Sequence, residues 1–67
     1  MVLYIVKMVN GEPVLVVKAD SLEQARKTVR LLKNPKVLGD IPIEIWNEAD
    51  HILERYPRGV YPVLATD

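Results

Sequence analysis

His51 is the chain's only histidine, so any imidazole chemistry, as general base or as metal ligand, must pass through it. Read as part of a second helix begun at Asn47, it lies between Glu48 and Glu54, three residues to either side. That carboxylate, imidazole and carboxylate would share one solvent-facing helical surface able to hold a divalent cation weakly. Good metal sites draw ligands from several elements and shield them. The expectation for His51 is therefore an exposed helix residue near Trp46, with no metal and no cofactor.

Nucleophilic catalysis needs a Ser, Thr or Cys beside an oriented base. Ser21 stands where a helix begins, Thr28 lies within that helix, and Thr66 is next to the last residue. Cysteine is absent, which removes thiolate catalysis, zinc ribbons and iron–sulfur ligation. Gly11, Gly39 and Gly59 are isolated and build no phosphate-cradling loop. A non-enzymatic role is expected.

One charge cluster carries a hypothesis. Arg26, Lys27, Arg30 and Lys33 fall on the first helix and Lys36 follows it, with Arg26, Arg30 and Lys33 along one flank where they could track a phosphate backbone. Against nucleic acid, Glu23 stands at i, i+4 to Lys27, positive charge near a helix C-terminus is favoured by the macrodipole, and no aromatics are interleaved for base stacking. Nine basic and nine acidic residues cancel, so no global field draws the chain onto a polyanion.

The elements that position these residues follow from pattern. Asn10-Gly11 between two runs rich in β-branched residues predicts a hairpin with a two-residue type I′ turn. Its register would set Val9 against Glu12, Lys7 against Val14, Ile5 against Val16 and Leu3 against Lys18. Asp20 with Glu23, or Ser21 with Gln24, starts a helix that runs to about Lys33, with Leu22, Ala25, Val29 and Leu32 facing the sheet and Leu31 outside that stripe. Asn34-Pro35 ends it.

Ile41, Ile43 and Ile45 alternating with Pro42, Glu44 and Trp46 predict a strand with one buried face, and Pro42 argues for an edge position. Asn47 would then cap a short helix with Ala49, Ile52, Leu53 and Tyr56 inward, closed by a turn at Tyr56-Pro57-Arg58-Gly59. The tail from Val60 to Thr66 has strand composition but contains Pro62, which suits an edge or a place off the sheet. Trp46 and Tyr61 would be partly exposed on such edges.

The predicted class is α+β: one domain over residues 1–67, a small mixed sheet in the order β-β-α-β-α-β, the N-terminal hairpin central, and two helices mainly on one face. Hydrophobic residues make up 49% and charged residues 27%, the balance of a folded protein. The apolar opening from Met1 to Val6 meets Lys7 too early for a signal-peptide core, and no stretch reaches membrane-span length, so a cytoplasmic protein is expected. Scarce amides, no Cys and abundant Ile, Val, Lys, Arg and Glu follow the direction of heat-adapted proteins.

The hairpin has two unlike faces. Val2, Tyr4, Val6, Met8, Pro13, Leu15, Val17 and Ala19 carry no charge and should meet the helices. Leu3, Ile5, Val9, Val14 and Val16 share the other face with Lys7, Glu12 and Lys18. Leaving those five apolar side chains in water would forgo roughly 1.5–3 kcal/mol each. They are the expected interface of a homo-oligomer, a second copy covering the face about a two-fold axis. The rival arrangement divides the helices between both faces, and the rival function is nucleic-acid binding along the ridge of Arg26, Lys27, Arg30, Lys33 and Lys36.

Overall fold

The computed structural model describes residues 3–10 and 12–64, with the side chains of all but residues 10 and 12–14. Among the described residues the chain forms β1 (Tyr4–Asn10), β2 (Glu12–Ala19), α1 (Leu22–Leu32), β3 (Ile43–Asn47) and β4 (Ile52–Tyr56). The sheet is antiparallel throughout, in the order β2-β1-β3-β4. The α+β class holds. The mixed sheet, the central hairpin and the second helix are corrected: β1 and β3 are central, and β2 and β4 are the edges.

Helix α1 begins as its capping chemistry requires. Ser21 is extended, and its Oγ accepts from the Gln24 N–H at 3.1 Å. Ala25 and Val29 are buried on the sheet, Leu22 and Leu32 flank them, and Leu31 is exposed. The Asn34 carbonyl then accepts from Val37, Leu38 and Gly39, winding the chain into a turn that Gly39 completes at φ 77°.

The hairpin register differs from the two-residue-loop expectation. Asn10 pairs with Glu12 and Val9 with Pro13, and after an irregularity between Lys7 and Val9 the pairs become Lys7 with Val16, Ile5 with Lys18 and Tyr4 with Ala19. The main ladder has thus slipped by two residues. Because side chains alternate with period two, such a slip leaves the residues of the main ladder, 4–7 and 16–19, on their expected faces, whereas beyond the irregularity the pairing is displaced by one. Tyr4, Val6, Val17 and Ala19 accordingly face the helix. Gly11 and Val2 lie outside the described residues.

Pro42 does not force β3 to an edge, because it precedes the strand and needs only its carbonyl, which accepts from the Val9 N–H at 3.0 Å. Ile43 and Ile45 are then fully buried beneath α1. Asn47 turns the chain instead of capping a helix. Its Oδ1 accepts from the N–H groups of Ala49 and His51, Asp50 adopts φ 62°, and the chain reverses into β4. A four-residue apolar spacing over so short a segment cannot nucleate a helix against a ready-made neighbouring strand. Tyr56 pairs with Ile43 and Glu54 with Ile45, whereas Ile52 pairs with Trp46, so Leu53 is an extra residue that shifts Ile52 to the opposite face.

The closing turn also lies one residue later than expected, with Val60 N–H donating to the Pro57 carbonyl and Gly59 at φ 84° in the third position. Residues 60–64 form no strand, and Pro62 is buried.

The core of Val6, Ala19, Ala25, Val29, Ile43 and Ile45 is joined by one charged residue, Lys33, whose side chain is 0% exposed. Its ammonium donates to the carbonyls of Tyr56 at 3.1 Å, Pro57 at 2.6 Å and Val60 at 2.6 Å, matching three donors to three acceptors. Asp40 Oδ1 lies 3.6 Å away as a charge partner, buried and without a hydrogen bond because the three protons are engaged elsewhere. The Tyr61 ring lies 5.0 Å from the ammonium, and its hydroxyl donates to the Lys33 carbonyl. Burial lowers the Lys33 pKa, and Asp40 opposes that shift. Lys33→Met fills similar volume but leaves three carbonyls without a donor. Chemical denaturation should show about 3 kcal/mol of lost stability, with amide exchange rising first over residues 57–64.

Candidate functional site

Helix α1 lies over β1, β2 and β3 on one side of the sheet. Among the described residues no helix or strand lies over the other side. The chain measures 32 by 31 by 16 Å, the thin dimension being that of one helix layer and one sheet layer. The rival in which two helices divide between the faces is not met, because the described residues form a single helix.

Cross-strand pairing arranges this open side into two rows. One runs Val16, Lys7, Glu44, Arg55 across β2, β1, β3 and β4, and the next runs Lys18, Ile5, Trp46, Ile52 in the same strand order. The first is mostly charged and the second mostly apolar. Lys7 Nζ sits 4.0 Å from the centre of the Trp46 ring, tying the rows together. Glu44 accepts from Trp46 Nε1 through one oxygen and from Arg55 Nε through the other, both at 3.0 Å. Val16 is 52% exposed and Ile52 39%, while Ile5 and Trp46 are half-buried.

Of the five apolar residues expected on this side, Ile5 and Val16 stand in the rows. Leu3 and Val9 are half-buried, and Leu3 N–H reaches Glu48 Oε1 at 3.4 Å. Val14 belongs to β2, but its side chain is outside the described set. Sequence reading missed Trp46, Ile52, Glu44 and Arg55 as members of the same surface. The alternation around Ile43 and Ile45 already put Glu44 and Trp46 opposite the core. That they adjoin Lys7 and Ile5 follows only from the pairing of β1 with β3.

A second polar cluster joins α1 to β4. Arg26 donates to Glu54 through Nε at 3.0 Å and Nη2 at 2.5 Å, and the Tyr56 hydroxyl donates to the same carboxylate. Tyr61 and Val63 complete a shallow depression of about 370 Å³. The Arg26 hydrogen bonds hold the Glu54 carboxyl below its ordinary range and raise the guanidinium's own pKa. Burial, reinforced by the bond to Glu54, pushes the Tyr56 phenol up to about 12. These three groups satisfy one another, which makes the cluster a side-chain strap between helix and edge strand.

The basic ridge is rearranged accordingly. Lys33 is inside the protein rather than on the helix flank, and Arg26 is bound to Glu54 and lies 3.8 Å from Glu23. Arg30 is half-buried, while Lys27 and Lys36 are exposed. His51 is exposed in the turn before β4 and not on a helix, with its backbone N–H given to Asn47. Glu54 belongs to the strap, so the expected grouping of His51 with two carboxylates on a helix face does not form. Among the described residues no cluster of His, Cys, Asp and Glu is arranged to hold a metal ion, and no helix is long and apolar enough to cross a membrane.

No protein-family model, curated protein or solved structure matches this chain.

The strap has a definite pH signature. Because the Glu54 pKa is lowered in the folded protein, its stabilisation is complete above the ordinary carboxyl value of 4.5 and is lost as pH falls through the lowered value. Tyr56 behaves in the opposite sense. Its stabilisation is complete below 10.0 and is lost as pH rises through about 12. Titration followed by near-ultraviolet absorbance should contain a tyrosine component with a midpoint near pH 12 that Tyr56→Phe removes.

Proposed function

We propose that this chain is a non-enzymatic, self-associating interaction module whose open sheet face packs against the same face of a second copy. The observation that carries the reading is the one-sided placement of α1, which leaves Ile5, Trp46, Val16 and Ile52 directed away from the chain's own core. A chain of 67 residues has little core with which to offset its conformational entropy, so covering these side chains matters more than in a larger domain.

Scale and chemistry support the same reading. A standard interface takes about 800 Å² from each partner, and the broad side of this chain spans 32 by 31 Å. Trp46 is the kind of residue that anchors such contacts, a large ring already oriented by Lys7 and Glu44. Lys18 and Arg55, at the strand edges of the face, can lay their stems over apolar surface and keep their charges in water. Nucleic-acid binding along α1 gains no such support, since Lys33 is enclosed and Arg26 is committed to Glu54.

Sedimentation velocity or light scattering on a sizing column tests the proposal. At high micromolar concentration the chain should run at twice its monomer mass. Trp46→Ala should weaken association by about 30-fold while the far-ultraviolet circular dichroism keeps its helix and strand signal, because the ring lies outside the helix-side core. A particle that remains monomeric at that concentration refutes the reading.

A further inference from the structure

This inference rests on the self-association reading and concerns how the two copies meet. Two sheets stacked face to face can be related by a two-fold axis parallel to the strands or by one in the same plane across them. The two choices bring different residues together. An axis across the strands keeps the strand order and exchanges the rows, so Lys7 would lie over Ile5 of the second copy and Glu44 over its Trp46. Each charge would then be desolvated against apolar surface without a new counter-charge, which is costly.

An axis parallel to the strands reverses the strand order and keeps each row level with itself. The row Val16, Lys7, Glu44, Arg55 then meets Arg55, Glu44, Lys7, Val16, which sets Lys7 of each copy opposite Glu44 of the other. The neighbouring row sets Ile5 opposite Trp46, twice, and leaves Lys18 and Arg55 at the margins beside Ile52 and Val16. Glu44 keeps acceptor capacity for this contact, since each of its oxygens accepts one in-chain bond and a carboxylate offers about four lone-pair sites. The strands of the two sheets also stay aligned, as they do in sandwiches packed about 10 Å apart. The central strands β1 and β3 lie nearest the axis, where the twist between sheets displaces residues least.

We propose that two copies form a β-sandwich about a two-fold axis parallel to the strands and midway between β1 and β3, with reciprocal Lys7–Glu44 pairs and Ile5–Trp46 contacts between copies and both helices outside.

The test uses Lys7→Glu and Glu44→Lys as separate chains. Alone, each variant sets like charges opposite each other at both contacts, and its self-association should fall by at least about tenfold. Mixed, the two variants carry opposite charges at both contacts, so native mass spectrometry should show a heterodimer with affinity close to that of the parent and reduced by salt. Within each variant chain positions 7 and 44 still carry like charges side by side, so recovery on mixing cannot come from repair inside a chain.

Carbodiimide coupling of the unaltered protein, mixed from isotope-labelled and unlabelled chains, gives a second measurement that does not depend on the variants folding. It should join Lys7 of one chain to Glu44 of the other. A dimeric parent whose mixed variants associate no better than each alone, or whose coupled peptides never join Lys7 to Glu44 across chains, overturns this axis and leaves self-association standing. A monomeric parent overturns both.

Discussion

The ammonium of Lys33 holds together parts of the chain that have little else in common. Its side chain leaves the C-terminal end of α1, is fully buried, and ends among the carbonyls of Tyr56, Pro57 and Val60, with the Asp40 carboxylate alongside. The end of β4, the turn after it, the tail and the segment before β3 thus converge on one side chain. A small domain without disulfides needs some such cross-tie, because its apolar core alone offsets conformational entropy only narrowly. A buried cation serves only if its donors are matched, and here three N–H groups meet three carbonyls.

The second tie, from Arg26 to Glu54 and Tyr56, works from the middle of the same helix. Together the two tether the short edge strand β4 to α1, although the helix packs on the three other strands. Both ties lie on the helix side. They draw the long polar side chains of α1 inward and leave the opposite sheet surface to be shaped by strand pairing alone. The division is sharp: one side is closed by aliphatic packing and two polar straps, and the other is an open lattice in which a charged row adjoins an apolar one. The interaction role proposed for this protein depends on that asymmetry.

Much of this was legible in local patterns. The start of α1 at Ser21, its end before Pro35, its buried stripe and the charge-free face of the hairpin follow from capping and periodicity, which act over a few residues. The segment from Asn47 to Tyr56 is ambiguous in sequence because two local rules compete there. An Asn followed by apolar residues at spacings of three and four suits a helix, whereas the same Asn folding its side chain onto Ala49 and His51 suits a tight reversal. The availability of β3 as a pairing partner decided between them. Local pattern alone puts Lys33 on a solvated flank, because lysine burial is rare and no local signal announces three acceptors arriving from more than twenty residues away.

By itself, then, the sequence determined the α+β class, the helix, the first hairpin, the inward isoleucines of β3 and the surplus of apolar side chains on one hairpin face, since these depend on period and turn chemistry within a short span. Tertiary structure alone decided that β3 joins β1, that Trp46 and Glu44 therefore adjoin Ile5 and Lys7, and that Lys33 and Arg26 turn inward. Those outcomes depend on which distant strands come to lie side by side, and no residue carries that information in its immediate neighbours.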